Sequence, residues 1–231
     1  MIIPCIDLMD GKVVQLVQGR TKVLDGKSVD EMLSDFAGFP EIQVIDLDAA
    51  IGRGSNSDLV QYLAERATIR AGGGVRTLQR AKELIGQGAS RIIVGTAAFN
   101  ATGPDIEFLT ELADAVSAEK LTLALDSKDG RIMVKGWREA TQWTAVDMIG
   151  RLEPYCSGFL CTYVDKEGML QGTDLAWFQS LREATKHEII AAGGITTLDD
   201  ITALTTMRVH CAVGMAIYTG RLALADLRKL N

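Results

Sequence analysis

Short apolar runs alternate with longer amphipathic stretches along the whole chain. Runs such as Arg91–Val94 and Leu121–Leu125 are rich in isoleucine, leucine and valine, which is typical of strands covered on both faces. Each run is followed by a segment with helical periodicity. This alternation predicts parallel βαβ units.

The pattern predicts eight strands and eight helices. We expect strands at about residues 2–7, 42–47, 68–71, 91–94, 121–126, 157–162, 188–191 and 210–213. We expect helices near residues 29–37, 57–66, 77–87, 104–117, 144–153, 174–184, 197–206 and 220–229. The turn dipeptides Asp10-Gly11 and Asp129-Gly130 each precede a short alternating stretch, which predicts a small hairpin after the first and fifth strands.

The second half of the chain repeats the first. Four pairs of segments keep the same order at a spacing of about 120 residues: Ile6–Val13 with Leu125–Ile132, Gln43–Asp46 with Phe159–Thr162, Ala71–Leu78 with Ala191–Leu198, and Val94–Phe99 with Val213–Tyr218. The second of these matches is the weakest. Such a repeat is hard to obtain by chance.

Eight parallel strands in two similar halves predict an α/β fold, the (β/α)8 TIM barrel with an internal two-fold half-barrel repeat. An open doubly wound sheet is the alternative, but it leaves the repeat unexplained. No linker interrupts the pattern, so we expect a single domain over residues 1–231, with half-barrels at about 1–118 and 119–231.

Composition narrows the range of partners. The chain has 231 residues, 47% of them hydrophobic, and a net charge of −6, so it can bury a large core and has no basic surface for nucleic acid. No apolar stretch approaches the ~18 residues of a membrane span. The four cysteines lack zinc-type pairing, which indicates reduced thiols and a cytoplasmic location. We expect a monomer.

Active sites of such barrels lie at the carboxyl ends of the strands, where the sequence places Asp7, Asp46, Asp48, Asp126 and Thr162. Asp7 and Asp126 occupy matching positions of the repeat and should face each other across the mouth. Two opposed carboxylates suit aldose–ketose isomerisation, which needs one proton delivered and another removed. The alternative is that each aspartate caps a loop or pairs with a cation.

Glycine-rich turns follow the third, fourth, seventh and eighth strands and predict two phosphate sites. Backbone N–H groups of such loops, with the N-terminus of a short helix, bind phosphate in barrels of this kind. The candidates are Gly73, Gly74, Arg76, Gly95 and Thr96 in the first half and Gly193, Gly194, Gly214 and Met215 in the second. Two sites flanking the aspartates imply an elongated substrate with a phosphate at each end.

The segments Ile3–Leu8, Gly72–Arg76, Lys135–Trp137, Ala192–Ile195 and Gly214–Tyr218 together resemble the ProFAR isomerase family of histidine biosynthesis. The resemblance covers the whole chain. It implies a half-repeated barrel that performs the Amadori rearrangement of a bisphosphorylated aminoaldose to the aminoketose without metal or cofactor.

The resemblance also implies residue roles. Asp7 would be the general base that takes the C2 proton, and Asp126 the general acid at the ribose ring oxygen. Thr162 would help to hold the sugar, and Arg20 and Trp137 match positions on loops that close over the substrate. The structural alternatives are that Thr162 is only a β-forming residue, that Arg20 is a solvated loop charge, and that Trp137 only packs within its loop. The loop Tyr163–Met169 departs from the family's usual Arg-Asp-Gly-Thr version through Lys166, Glu167 and Met169.

Three other functions remain open at this stage. The cyclase of imidazole-glycerol-phosphate synthase shares the repeat, the phosphate sites and the two aspartates, but it would need a partner that supplies ammonia. A dual-substrate isomerase would also accept phosphoribosyl anthranilate. A phosphate-binding scaffold without activity would not need both aspartates.

Overall fold

The computed structural model describes residues 1–17, 21–25 and 27–231. Its centre is a closed ring of eight parallel strands. They are β1 Ile2–Met9, β2 Ile42–Asp46, β3 Ile69–Gly72, β4 Arg91–Val94, β5 Leu121–Ala124, β6 Gly158–Thr162, β7 Glu188–Ala192 and β8 His210–Val213. Parallel pairing of β1 with β8 closes the ring, which confirms the predicted TIM barrel.

Eight helices follow the strands in turn. They are α1 Val29–Asp35, α2 Ser57–Ala64, α3 Leu78–Gly86, α4 Ile106–Val116, α5 Ala145–Leu152, α6 Leu175–Ala184, α7 Leu198–Thr206 and α8 Leu224–Lys229. Helix α8 begins four residues later than predicted, because the chain first forms the short helix Met215–Tyr218 and turns at Gly220. No helix within the described ranges is long and apolar enough to cross a membrane.

Several shorter elements lie outside the ring of eight strands. Both predicted hairpins are present. The first pairs Lys12–Val17 with β1 and Thr21–Asp25, and the second is a small sheet of Ser127–Lys128, Arg131–Val134 and Glu139–Ala140. Phe99–Asn100 and Gly103–Pro104 form a third hairpin. The remaining segments are the helix Leu47–Ile51 and the 3-10 turns Thr96–Ala98, Ala118–Lys120, Glu153–Tyr155 and Val164–Lys166.

Two separate layers of apolar side chains form the core. The inner layer lies within the barrel and fills its centre with residues from six different strands: Ile3, Ile93, Ala124, Leu160, Ile190 and Ala212. The outer layer lies between the strands and the helices. The filled centre means that the barrel is not a pore, so polar chemistry is confined to its two ends.

The two halves repeat in three dimensions as well. Thr77 and Thr197 start α3 and α7 with the same side-chain cap, each accepting a hydrogen bond from the third backbone N–H of its helix. One sequence match is displaced, however. Strand pairing sets Ile45 beside Gly72 and Thr162 beside Ala192. Thr162 is therefore equivalent to Ile45, one residue before the position that the sequence match indicated.

The amino end of the barrel holds a buried ion-pair network. The fully buried Arg70 guanidinium bonds to the carboxylates of Glu41 and Glu188. Arg91 and His210 also contact Glu188, at 2.6 and 3.0 Å. Burial alone would raise the pKa of Glu188, but the hydrogen bond from His210 and the charge of Arg70 lower it to about 2. The ionised form of Glu188 is therefore favoured at this end of the barrel.

Replacing Arg70 with methionine should destabilise the fold, because it leaves two carboxylates buried without their main partner. We expect the free energy of unfolding to fall by ~3 kcal/mol, as for other broken buried ion pairs. Thermal unfolding at pH 7 measures the change. The control Lys82→Met removes one positive charge from the exposed face of α3, and equal melting temperatures for the two variants would contradict this account of Arg70.

Candidate active site

Asp7 and Asp126 lie at the carboxyl end of the barrel on opposite strands. Asp7 is near the end of β1, where it pairs with Ile45 of β2 and Val14 of the first hairpin. Asp126 lies two residues beyond the end of β5, where its carbonyl accepts a hydrogen bond from the Met133 N–H. Because β1 and β5 are four strands apart in a ring of eight, the two side chains face each other across the mouth.

The Asp7 carboxyl group is set deep in the mouth. Burial raises its pKa from 3.8 to about 7, and no other cause contributes. Cys5 lies two residues before Asp7 in β1. It is half-buried, whereas the other three free cysteines are buried. A carboxyl group with a pKa near neutrality can both accept and release a proton at physiological pH.

Asp126 is half-buried and has hydrogen-bond donors. The Trp137 indole N–H donates to Asp126 Oδ2 at 2.7 Å. Burial raises the pKa of Asp126, while hydrogen bonds from the Thr162 hydroxyl and from Trp137 lower it. The structure thus brings together three residues that the sequence singled out separately, and it gives the two aspartates different surroundings.

Glu167 is a third carboxyl group at this mouth, and sequence reasoning did not identify it as a functional residue. It follows the 3-10 turn Val164–Lys166 after β6. Burial raises its pKa to about 7, with further contributions from the charges of Asp7 and Asp126. These contributions place Glu167 within electrostatic reach of both aspartates. Its one sequence signal was the departure of this loop from the family pattern.

The glycine turns after β3 and β7 share an unusual backbone geometry. Gly73 and Gly193 have φ values of 107° and 88°. A Cβ atom on Gly73 would lie 2.1 Å from the carbonyl oxygen of Asp46, and one on Gly193 would lie 2.4 Å from that of Tyr163. Glycine is required at both positions because the turn packs against the backbone of the preceding βα loop.

The predicted phosphate residues of the second half line one cavity. Gly193, Gly194, Gly214 and Met215 line a small cavity of about 20 Å³, together with Glu167. Gly214 lies immediately before the short helix Met215–Tyr218, so backbone N–H groups and a helix start border the cavity, as an anion site of this kind requires. Glu167 is the carboxyl group of the mouth that lines this cavity.

The candidate phosphate-binding residues of the first half form hydrogen bonds and contacts with other parts of the chain. The Thr96 hydroxyl accepts a hydrogen bond from the Lys135 N–H at 2.8 Å. The Arg76 guanidinium donates to the backbone carbonyls of Ala49 and Ala50, at the end of the short helix Leu47–Ile51. Gly74 packs on the same segment, since a Cβ atom there would lie 2.6 Å from the Ala49 oxygen. Arg20 lies outside the described residues.

Asp46 and Asp48 have structural partners. Asp46 is fully buried and accepts hydrogen bonds from the backbone N–H groups of Ala49 and Asn56. Asp48 accepts the Asp10 N–H at 2.7 Å, and Asp165 accepts the equivalent Asp129 N–H at 3.0 Å in the second half. Asp48 and Asp165 therefore anchor the two hairpins, and Asp46 caps the segment that follows its own strand.

The geometry supports proton transfer on a doubly anchored ligand. Three carboxyl groups with raised pKa values lie between two sets of glycine turns. In the part of the chain that the structure describes, no cluster of three or more histidine, cysteine or acidic side chains could hold a metal ion. The chemistry available from these residues is general acid–base catalysis.

Comparison with known proteins agrees with this geometry. The model of the histidine biosynthesis protein family matches residues 1–223. A Methanocaldococcus jannaschii protein named 1-(5-phosphoribosyl)-5-((5-phosphoribosylamino)methylideneamino)imidazole-4-carboxamide isomerase is 38% identical over 99% of this chain and 97% of its own length. Proteins of the same name from Methanothermobacter thermautotrophicus and Gemmatimonas aurantiaca are 35% and 36% identical, over 99% of this chain and 98% and 96% of their own lengths. The chain therefore belongs to this isomerase family of histidine biosynthesis.

Proposed function

We propose that the protein converts the bisphosphorylated aminoaldose ProFAR to its aminoketose by an Amadori rearrangement. The observation that carries this proposal is the facing pair of half-buried carboxyl groups, Asp7 and Asp126, between two repeated sets of glycine turns. The glycine turns suit the two terminal phosphates of such a substrate, and the carboxyl groups suit proton transfer on the sugar between them.

The reaction needs two proton transfers. An acid protonates the ribose ring oxygen, so that the ring opens and the nitrogen lone pair forms an iminium ion with C1. A base then takes the proton from C2, and the resulting enol amine becomes the aminoketose by tautomerisation. We assign the base to Asp7, because a pKa of about 7 suits proton removal near neutral pH. We assign the acid to Asp126.

Glu167 is a second candidate for the acid. Burial raises the pKa of Asp126, and hydrogen bonds from Thr162 and Trp137 oppose this shift, whereas burial and two negative neighbours all favour the protonated form of Glu167. Physical surroundings alone thus support Glu167 as a proton donor, and the family resemblance supports Asp126. Comparing variants of each residue separates these two assignments.

Isomerisation is favoured over the alternatives. The curated relatives described above carry the isomerase name, which argues against the cyclase. Incubating the purified protein with ProFAR, and separately with phosphoribosyl anthranilate, tests for one or two ketose products. Absence of the ProFAR product would contradict the proposal, and a second product would identify a dual-substrate enzyme.

We also propose that the chain acts as a single-domain monomer in the cytoplasm. The continuous ring of strands supports one domain, since both halves contribute to a single barrel. The four free cysteines support a reducing compartment. The remaining first-half residues, Gly95 and Arg76 among them, are proposed to bind the phosphate at that end.

Asp7→Asn and Asp126→Asn should each abolish most turnover while the substrate still binds. Loss of a general acid or base lowers the rate by ~10²–10⁴-fold, and steady-state kinetics with a separate binding measurement distinguishes the two effects. Asp114→Asn, on the exposed face of α4, is the matched control. Near-normal turnover of Asp7→Asn would refute its role; near-normal turnover of Asp126→Asn with loss in Glu167→Gln would assign the acid to Glu167.

The value of kcat/KM should fall as the pH is lowered through about 7. The reason is that the free protein must hold Asp7 ionised, and burial raises the pKa of this group to about 7. A profile measured from pH 5 to pH 9 tests this. A plateau that extends down to pH 5 would show that the base has an ordinary carboxylate pKa.

Asp7→Asn should stabilise the fold at high pH. The folded-state pKa of Asp7 is raised, so its contribution to stability is present below about pH 4 and is lost as the pH rises to about 7. We therefore expect the variant to gain ~1–3 kcal/mol at pH 8 and nothing near pH 4. Unfolding measurements at both pH values check this, with Asp114→Asn as control; an equal change at both would contradict it.

A further inference from the structure

The loop that carries Trp137 is attached to the rest of the mouth at two points. The first is the Lys135 N–H, which donates to the Thr96 hydroxyl at 2.8 Å. The second is the Trp137 indole N–H, which donates to Asp126 at 2.7 Å. The loop therefore bridges the glycine turn after β4 and the carboxyl group after β5.

Between these points the loop is one compact turn. A hydrogen bond from the Arg138 N–H to the Val134 carbonyl, at 3.1 Å, closes it. Its three central residues, Lys135, Gly136 and Trp137, all have left-handed φ values of 52°, 65° and 63°. Two of them, Lys135 and Trp137, are not glycine, and such residues are held in this conformation only when the surroundings fix them. Losing one attachment should therefore alter the other.

Among the residues that the structure describes, none accepts a hydrogen bond from the Thr96 hydroxyl. A hydroxyl can donate one hydrogen bond and accept two, and the Lys135 N–H uses an acceptor position. Thr96 is exposed at the mouth, within the turn that is proposed to bind a phosphate. A phosphate oxygen can therefore accept the hydroxyl proton without breaking the bond to Lys135, and the two bonds in series strengthen each other.

The second half of the barrel has no equivalent of this hydroxyl. Met215 occupies the position of Thr96 in the repeat, after Gly214. Its side chain cannot accept an N–H and donate to a phosphate at the same time. The glycine turns at the two ends of the site are therefore similar, but only the first half offers a hydroxyl group at this position.

We propose that Thr96 is a positioning residue that couples the phosphate site after β4 to the Trp137 loop, and through it to Asp126. A phosphate at this end orients the Thr96 hydroxyl, and the hydroxyl holds the loop through the Lys135 N–H. The loop in turn keeps the Trp137 indole hydrogen-bonded to the Asp126 carboxyl group. This proposal rests on the proposed function, because it takes the turn after β4 as a phosphate site.

Fluorescence of Trp137 tests the coupling directly. In the variant Trp143→Phe/Trp177→Phe, Trp137 is the one remaining tryptophan, and acrylamide quenching measures its accessibility. We expect saturating inorganic phosphate to lower the quenching constant about twofold in this background and in Thr96→Ser, and to leave it unchanged in Thr96→Val. If the double replacement destabilises the fold, the difference between the parent and Trp137→Phe supplies the same signal.

Thr141→Val is the matched control. Thr141 follows the last strand of the second hairpin, and its hydroxyl accepts the Trp143 N–H at 3.2 Å, so the variant also removes a threonine hydrogen bond but not one to the Trp137 loop. The response of Trp137 to phosphate should persist in this variant. Equal protection of Trp137 in Thr96→Val, or no response of the parent at saturating phosphate, would overturn the proposal.

Turnover separates this proposal from the proposed function. With ProFAR, Thr96→Val should lower kcat about tenfold while Thr96→Ser stays within about twofold of the parent, because a residue that only bound phosphate would raise KM alone. A rise in KM without a change in kcat would refute the coupling. A parent that responds to phosphate but does not convert ProFAR would instead refute the proposed function and leave the coupling supported.

Discussion

Pairing of β1 with β8 is the constraint on which the rest of the molecule depends. The register that aligns Ile2 with Cys211 and Pro4 with Val213 closes the sheet. Closure brings the carboxyl ends of all eight strands to one rim, so that residues far apart in sequence share a single mouth. Without it, the sheet would be open, and Asp7 on its edge strand would lie four strands away from Asp126 instead of facing it.

The two ends of the barrel treat carboxyl groups in opposite ways. At the amino end, His210 and Arg70 hold the pKa of Glu188 at about 2, and the network serves stability. At the carboxyl end, burial raises the pKa values of Asp7 and Glu167 to about 7, which costs stability and keeps protons available near neutral pH. The apolar inner layer, with Leu160 and Ile190, separates these two environments.

The sequence was sufficient for the fold because its signals are local and repeated. Strand bounds such as 210–213 follow from short apolar runs, and the repeat identified Asp7 and Asp126 as a pair. The tertiary contacts were less accessible. Glu167 lies at the mouth because the loop after β6 places it there, and no periodicity in the sequence predicts the path of that loop. Thr162 was matched one residue out of register, since the apolar strand residues before it offer no landmark.

Some candidate residues have contacts that the sequence does not predict. Gly73 was expected to give a phosphate close access to the backbone, and the structure shows a second requirement, the contact of the turn with the Asp46 carbonyl. Trp137 was expected on a closing loop, and it donates to Asp126. Such partners depend on how loops from different strands meet, which the sequence of one chain does not encode locally.

The account depends most on the protonation of Asp7. A carbon-13 NMR titration of the aspartate carboxyl groups, with the Asp7 resonance assigned from its absence in Asp7→Asn, measures this directly in the free protein. The account predicts a titration midpoint near pH 7, as burial requires. A midpoint near the ordinary value of 3.8 would contradict it, because Asp7 would then be a solvated carboxylate and a weak base.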